Sequence, residues 1–308
     1  MSTVIHDHEV KQNAHSMLST IYCWRTALVV MIVSFFSILT CQYANAGTIP
    51  TTIWGDNFGS SVQEFSLTDG SLLKSFDPAT VFNTYWNGRG VVQVGNTLYL
   101  TNAFSNNVYT MDATTGAKIG TGIAFSIAGS SGLSAIAYDG TNFWVADYSG
   151  TNHAYLYSPS GTLLKTISLD NCTGYCDGLE YFSGQLISNR VDGCCGGTPV
   201  AYDVYDLSGN LLTSNLISNP LLSTGIAFDG TDFWTSNIYN SSLSEWNGTT
   251  GAFINTLALT GVTNGIEDLS VNYTEVLPPP TVPEPTTIAL LGLGLASISF
   301  ARRRRKAS

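Results

Sequence analysis

Four stretches of the chain repeat one pattern: VVQVGNTLYLTN (91–102), AIAYDGTNFWVAD (135–147), GLEYFSGQLISNR (178–190) and GIAFDGTDFWTSN (225–237). Each contains an apolar run, a turn and a second run that ends in polar residues. The turn glycines Gly95, Gly140, Gly184 and Gly230 lie 45, 44 and 46 residues apart. A period near 45 residues is typical of β-propeller blades.

A second pair of predicted strands follows the first in each repeat, in segments 106–123, 153–169, 200–217 and 242–259. A turn glycine separates the two runs of each segment: Gly116, Gly161, Gly209 and Gly251. Each repeat therefore predicts a four-stranded antiparallel blade. No amphipathic helix pattern interrupts the repeats.

A fifth repeat is divided between the two ends of the region. Residues 52–76 match the last three strands of a blade, and residues 265–273 match an innermost strand with nothing after it. Pairing them closes the ring and leaves no open sheet edge. We therefore expect an all-β, five-bladed propeller over residues 47–277. The alternative is six blades, if residues 78–90 contain further strands.

The central region is strongly acidic. Residues 47–285 contain five Lys and Arg and 20 Asp and Glu, a net charge of −15. Such a surface repels phosphate, which argues against nucleic-acid partners and against adhesion to anionic membranes.

The first 46 residues have the pattern of a secretory signal peptide with a long polar n-region. Arg25 precedes the apolar run 27–40, and Ala44-Asn45-Ala46 follows it. Signal peptidase is expected to cleave between Ala46 and Gly47. The run is short for a membrane span.

The C-terminal residues combine three signals. A proline-rich spacer, 278–285, ends in Pro283-Glu284-Pro285, and an apolar run, 286–301, leads to RRRRK at 302–306. As a helix this run is about 24 Å long, somewhat short of the roughly 30 Å hydrocarbon core, and snorkelling arginines or local thinning can make up the difference. Residues 286–308 are therefore expected to form a membrane helix with a cytoplasmic basic tail. The segment resembles the PEP-CTERM sorting signal of Gram-negative bacteria. The resemblance implies processing by exosortase and delivery to the cell surface or extracellular matrix.

The repeats themselves resemble known extracellular propellers. LYLTNAFSNNVYTMDATTGAKIG (98–120) is similar to YVTN-type repeats, and AIAYDGTNFWVAD (135–147) is similar to NHL and gluconolactonase-like repeats. Because these similarities lie in generic strand and turn residues, they indicate the fold rather than an activity.

Few residues point to catalysis. His153 is the one histidine left after signal-peptide removal, and no phosphate loop, nucleophile elbow or paired-histidine motif is present. We therefore assign no catalytic residue.

The repeat does predict a polar ring. Equivalent second strands end near Asn57, Asn102, Asp147, Arg190 and Asn237, and Glu180 and Glu267 lie on innermost strands. We predict a ligand site at the channel mouth formed by Asn102, Asp147, Glu180, Asn237 and Glu267. No cofactor is required, although Asp147, Glu180 and Glu267 offer oxygen ligands for Ca²⁺. The alternative is that the Asn and Asp side chains cap turns.

Aromatic residues fall into two groups. Trp54, Tyr99, Trp144 and Trp234 share one repeat position, so we expect them to be wedged between blades. Tyr85 and Trp86 lie in an irregular segment and are the better surface candidates for binding carbohydrate or peptide.

Four cysteines remain after cleavage: Cys172, Cys176, Cys194 and Cys195. An exported compartment is oxidising, and adjacent cysteines suit zinc poorly, so disulfides are favoured over a metal site. We expect Cys172 and Cys176 each to pair with one of the adjacent cysteines; which pairs with which is left open.

Together these features predict an exported, non-enzymatic propeller that binds a polysaccharide or a surface protein. The alternative function is a Ca²⁺-dependent, lactonase-like hydrolase acting at the channel mouth, and a matrix-sugar lyase is a third. The sequence implies contact with the membrane only through the C-terminal helix, before processing.

Overall fold

The computed structural model describes residues 49–276 apart from 60, 149, 170, 172–176, 193–197, 219 and 221–222. The first strands in chain order are β1 (Thr52–Asn57), β2 (Val62–Ser66), β3 (Leu72–Phe76), β4 (Gly88–Val94), β5 (Thr97–Asn102), β6 (Ser105–Asp112), β7 (Ile123–Ala124), β8 (Leu133–Tyr138), β9 (Phe143–Asp147) and β10 (His153–Tyr157). The others are β11 (Leu163–Ser168), β12 (Leu179–Phe182), β13 (Gln185–Asp192), β14 (Thr198–Asp206), β15 (Leu211–Ser218), β16 (Ile226–Phe228), β17 (Asp232–Ser236), β18 (Ser242–Asn247), β19 (Phe253–Ala258) and β20 (Ile266–Ser270).

The described residues form five four-stranded antiparallel sheets, which are the blades of a propeller. Blade 1 has the order β20-β1-β2-β3, and blades 2 to 5 are β4–β7, β8–β11, β12–β15 and β16–β19. The innermost strands contact one another around the ring, in the order β20, β4, β8, β12, β16 and back to β20. The predicted five-bladed fold is confirmed.

Blade 1 closes the ring by pairing the two ends of the propeller. Trp54 lies opposite Ser270, Gly55 opposite Leu269 and Asp56 opposite Asp268. Because the chain ends satisfy each other's backbone groups, the ring has no unpaired seam, as the split repeat predicts.

The segment between blades 1 and 2 contains a short helix, α1 (Pro78–Phe82), instead of extra strands. Asp77 caps it by accepting a hydrogen bond from the Thr80 amide, and Pro78 occupies its first turn, where no amide donor is needed. The six-bladed alternative is therefore wrong.

Large aromatic side chains fill the spaces between blades. Trp54 packs with Val91 and Leu98 of blade 2, Trp144 with Leu179 and Leu186 of blade 4, and Trp234 with Ile53 and Leu269 of blade 1. All three tryptophans are buried. The shared repeat position therefore is the inter-blade wedge that the sequence predicts.

Each blade also contacts its predecessor through a turn glycine. Gly161 has φ +83°, and a Cβ built on it would lie 2.5 Å from the carbonyl oxygen of Ala124, at the end of the preceding outer strand. Only glycine fits such a position.

The ring has two different faces. One face carries the turns between first and second strands and a second helix, α2 (Tyr273–Val276). Tyr273 packs on Tyr138, the Asn272 side chain accepts a hydrogen bond from the Gly95 amide, and Val276 approaches Gly230. Helix α2 therefore lies across the ends of the innermost strands, and we call this the covered face.

The opposite face carries the connections between second and third strands and those that enter each innermost strand; we call it the open face. Asn57 bonds to the Thr263 carbonyl here, and Ala103 bonds to the Asn87 carbonyl.

Helices among the described residues are too short to cross a bilayer. The predicted signal peptide (1–46), spacer (278–285) and sorting helix (286–308) lie outside the described residues.

Candidate functional site

The predicted polar ring lies at the open face, where the second strands end. Asn57, Asn102, Asp147 and Asn237 are all buried there. Arg190 is different, because it forms an ion pair with Asp203 at 3.2 Å. Its neighbour Asn189 accepts a hydrogen bond from the Gly178 amide at 3.0 Å.

Asn102 holds two loops together. Its Nδ2 donates to the Tyr85 carbonyl at 2.8 Å, and its Oδ1 accepts from the amides of Phe104 at 3.1 Å and Asn87 at 3.2 Å. The side chain therefore fixes the loop before β4 against the loop after β5.

Asn237 organises its own turn. Its Oδ1 accepts hydrogen bonds from the amides of Tyr239 at 2.8 Å and Asn240 at 3.1 Å. Asp147 likewise accepts from the Thr151 hydroxyl at 2.5 Å. These contacts have the geometry of turn-stabilising side chains.

Glu267 pairs with the one basic side chain on an innermost strand. Its Oε2 lies 3.0 Å from Nη1 of Arg89, whose Nη2 donates to the Tyr148 hydroxyl at 2.9 Å. The guanidinium also lies 4.5 Å from the centre of the Tyr148 ring. Burial raises the pKa of Glu267 to about 7, although Arg89 opposes the shift.

Glu180 lies on the innermost strand of blade 4 and accepts hydrogen bonds from the Tyr273 hydroxyl and, at 2.9 Å, from the Tyr181 amide. Burial raises its pKa to about 8, and the hydrogen bond from Tyr273 partly offsets this. Its contacts therefore lead toward the covered face.

Asp56 and Asp268 form a further acidic pair, directly opposite each other across the ring seam. Both are fully buried, and burial raises the pKa of each well above its ordinary value. Asp268 accepts from the Val91 amide at 3.2 Å, and Ser270 accepts from the Gln93 amide at 2.9 Å. Side chains of β20 thus satisfy the free backbone edge of β4.

Within the part of the chain that the structure describes, no three His, Cys, Asp or Glu side chains are grouped so that they could hold a metal ion. Asp147, Glu180 and Glu267 each have a separate partner: Thr151, Tyr273 and Arg89. The Ca²⁺ site stays a prediction.

One sequence expectation differs from the structure. Trp86 is only 4% exposed and stacks on Phe82 at 5.8 Å, because α1 covers it, whereas its neighbour Tyr85 is 76% exposed. His153 begins strand β10, in agreement with the predicted strand segment 153–169. The four cysteines of the predicted disulfides lie outside the described residues.

Exposed aromatic residues follow the polar ring in three blades and were not among the predicted site residues. Phe58 follows Asn57, Phe104 lies two residues after Asn102, and Tyr239 lies two residues after Asn237. These three side chains are 51%, 55% and 71% exposed. The spacing of an aromatic residue one or two positions after each repeated Asn was the available signal.

Comparison with known proteins identifies the C-terminal segment. Residues 281–306 match the PEP-CTERM protein-sorting motif. This motif indicates export, processing by exosortase and sorting to the cell surface in Gram-negative bacteria. No curated protein matches the chain in sequence.

Two solved structures align with part of this chain. A chain of a nidogen/laminin complex aligns over 71% of this chain and 97% of its own length, with 12% identity and a TM-score of 0.48. Glutaminyl cyclase of Myxococcus xanthus aligns over 57% of this chain and 76% of its own length, with 14% identity and a TM-score of 0.42.

Proposed function

We propose that this exported surface protein is a non-enzymatic binding module that holds a polysaccharide or a surface protein on its open face. The observation that carries the proposal is the difference between the two faces. Helix α2 covers one end of the channel, and the exposed aromatic side chains Phe58, Tyr85, Phe104 and Tyr239 lie at the other.

The position of the sorting signal supports the same face. The chain leaves the ring at Val276 on the covered face, and residues 277–280 are all that separate it from the matched motif at 281. Three of these four residues are prolines, which favour a stiff and extended spacer. During sorting the covered face would therefore be directed to the membrane and the open face away from it.

The distribution of carboxylates also favours a binder. A hydrolase that uses Ca²⁺ needs several oxygen ligands around one ion, whereas the three predicted ligands have separate partners. The alternative of a Ca²⁺-dependent, lactonase-like hydrolase retains one supporting feature. Glu180 and Glu267 have pKa values of about 8 and 7, a range suited to proton transfer at neutral pH.

The test introduces the same charge on each face of the full-length protein. Tyr239→Asp alters the open face and Thr141→Asp alters an exposed turn of the covered face. Mature protein is recovered from the cell surface, and its retention on isolated extracellular matrix is measured. We expect retention to fall only for Tyr239→Asp.

Equal retention of both variants, or loss with Thr141→Asp alone, would contradict the proposal. Hydrolysis of a lactone panel that depends on added Ca²⁺ and is lost in Glu267→Gln would instead support the enzymatic alternative.

A further inference from the structure

The open face has a regular composition that the polar ring alone does not explain. In blades 1 and 2 a buried Asn ends the second strand, and in blade 5 a buried Asn directly follows it; an aromatic side chain that is more than half exposed comes one or two residues later in each. Tyr85 adds a fourth exposed ring from the loop that enters blade 2. We call Phe58, Tyr85, Phe104 and Tyr239 the aromatic arc, since blades 5, 1 and 2 are consecutive in the ring.

The first pair of the arc is held by one side chain. Tyr85 and Phe104 lie with ring centroids 5.0 Å apart and planes inclined by 58°. Asn102 bonds to the Tyr85 carbonyl and to the Phe104 amide, so the same buried amide positions both backbones. The two rings are therefore preorganised in the free protein, which reduces the conformational entropy lost on ligand binding.

The second pair is held through the backbone. Asn237 accepts from the Tyr239 amide, and the Phe58 amide donates to the Gly265 carbonyl at 2.7 Å. Gly265 also packs on the loop of Tyr239, because a Cβ built on it would lie 2.1 Å from the Ile238 carbonyl oxygen. Gly265 thus joins the loops that carry Phe58 and Tyr239.

Tyr148 shows what happens where the repeat departs from this arrangement. It follows Asp147 in blade 3, but its ring lies against Arg89 and its hydroxyl accepts from that guanidinium. Among the described loops, the exposed rings are therefore confined to the sector of blades 5, 1 and 2.

Charge identifies the class of ligand. Arg89, Lys74 and Arg190 pair with Glu267, Glu64 and Asp203. Lys165 bonds to the Leu207 carbonyl at 2.6 Å, and Lys118 lies 5.9 Å from the centre of the Phe82 ring. All five basic residues of the region 47–285 are therefore engaged, and its net charge of −15 repels anionic polymers.

We infer that the aromatic arc binds an uncharged polysaccharide, with the apolar faces of successive sugar rings stacked on Tyr85 and Phe104 and on Phe58 and Tyr239. Aromatic side chains supply large, rigid contact area at low entropic cost, and the tyrosine hydroxyls add hydrogen bonds to sugar hydroxyls. This inference rests on the proposed function, because it names the ligand of the same open face.

The experiment measures binding of the mature protein to soluble glycans by affinity electrophoresis and titration calorimetry. The neutral probes are hydroxyethyl cellulose, laminarin, galactomannan and dextran, and polygalacturonate is the anionic probe. We expect binding to at least one neutral glycan and none to polygalacturonate. The double variant Tyr85→Ser/Phe104→Ser should weaken binding about tenfold or more.

Tyr85→Phe is the matched control, since it keeps the ring and removes one hydroxyl, and its affinity should stay within about threefold of the parent protein. Unfolding temperatures of all variants establish that they are folded. Unchanged affinity in the folded double variant, or tighter binding to polygalacturonate than to every neutral glycan, would overturn the inference.

The outcomes also separate this inference from the proposed function. Retention on matrix through a surface protein, with no affinity for any neutral glycan, would leave the open-face binder intact and remove the polysaccharide. Loss of matrix retention for variants of both faces would remove the proposed function as well.

Discussion

The hydroxyl of Tyr273 donates a hydrogen bond to the carboxyl of Glu180, which lies 93 residues earlier in the chain. Tyr273 belongs to the C-terminal helix α2, and Glu180 belongs to the innermost strand of blade 4. This contact ties the segment that leads to the sorting signal to the side of the ring away from blade 1. It thereby connects the covered face with the channel.

Replacing Tyr273 by Phe tests that connection. The change removes the hydroxyl but keeps the ring against Tyr138, so Glu180 loses its side-chain donor while packing is retained. We expect a loss of about 1–3 kcal/mol in the free energy of unfolding, because the buried Glu180 carboxyl loses the Tyr273 donor and retains the Tyr181 amide. Denaturant unfolding measures it, and Tyr85→Phe, an exposed site, should change stability little.

The buried carboxyls predict the direction of pH dependence. Glu180 and Glu267 have folded-state pKa values of about 8 and 7, above the ordinary value of 4.5. At pH values between the ordinary pKa and the folded-state pKa of each group, the folded protein holds protons that the unfolded chain has released. The free energy of unfolding therefore falls as the pH rises through this range. Thermal unfolding should therefore show a lower melting temperature at about pH 8.5 than at about pH 5.5, because this range includes both folded-state pKa values.

Glu180→Gln provides the control for this pH effect. The amide cannot ionise, so the decline in melting temperature between these two pH values should become shallower. A melting temperature that rises with pH in the parent protein, or an unchanged slope in Glu180→Gln, would contradict the assignment.

Removal of strand β20 tests the closure of the ring. A chain that ends at Gly265 lacks Ile266–Ser270 and leaves both β1 and the side of β4 without their partners. We expect loss of cooperative unfolding and aggregation through the open edge. A chain that ends at Val276 retains the strand and should remain monomeric in size-exclusion chromatography.

Two glycines separate backbone strain from close packing. Gly161 and Gly184 have nearly equal φ, +83° and +80°, but a Cβ on Gly161 would lie 2.5 Å from the Ala124 carbonyl oxygen, whereas Gly184 has no neighbour within 4 Å. Gly184→Ala should cost about 1 kcal/mol of stability from strain alone. Gly161→Ala should cost about 2–4 kcal/mol, since overpacking adds to the same strain. Equal losses would show that the turn does not press on the preceding blade.

Asn102 provides a test of positioning at the open face. Asn102→Ala keeps both exposed rings but removes the bonds to the Tyr85 carbonyl and the Phe104 amide. We expect weaker binding of the neutral glycan together with faster proteolysis of the 83–87 loop. Asn102→Asp is the matched comparison, since it retains the acceptor for the amides and loses only the donor to Tyr85. Normal affinity in a folded Asn102→Ala variant would show that the loops need no such support.

The sequence by itself predicted five blades, their strand order and the closure of the ring, and only helix α1 in the structure excluded a sixth blade. The reason is that these follow from local patterns: turn glycines about 45 residues apart, period-two alternation and a split repeat. The sorting motif could also be recognised from the sequence, because it consists of contiguous residues and does not depend on the fold. The predicted wedge position of Trp54, Trp144 and Trp234 belongs to the same class, since equivalent positions in equivalent blades have equivalent surroundings.

Only the tertiary structure decided which groups the polar ring contacts and which aromatic rings reach solvent. Tyr85 and Trp86 are adjacent and looked equivalent, yet α1 buries one and leaves the other exposed. The sequence placed Asn102 in the predicted ligand site, and the structure adds that its side-chain amide bonds to the backbones of Tyr85, Asn87 and Phe104. Exposure and hydrogen-bond partners depend on contacts between loops of neighbouring blades, which form only when the ring has closed. The repeat pattern of the sequence does not contain information about these contacts.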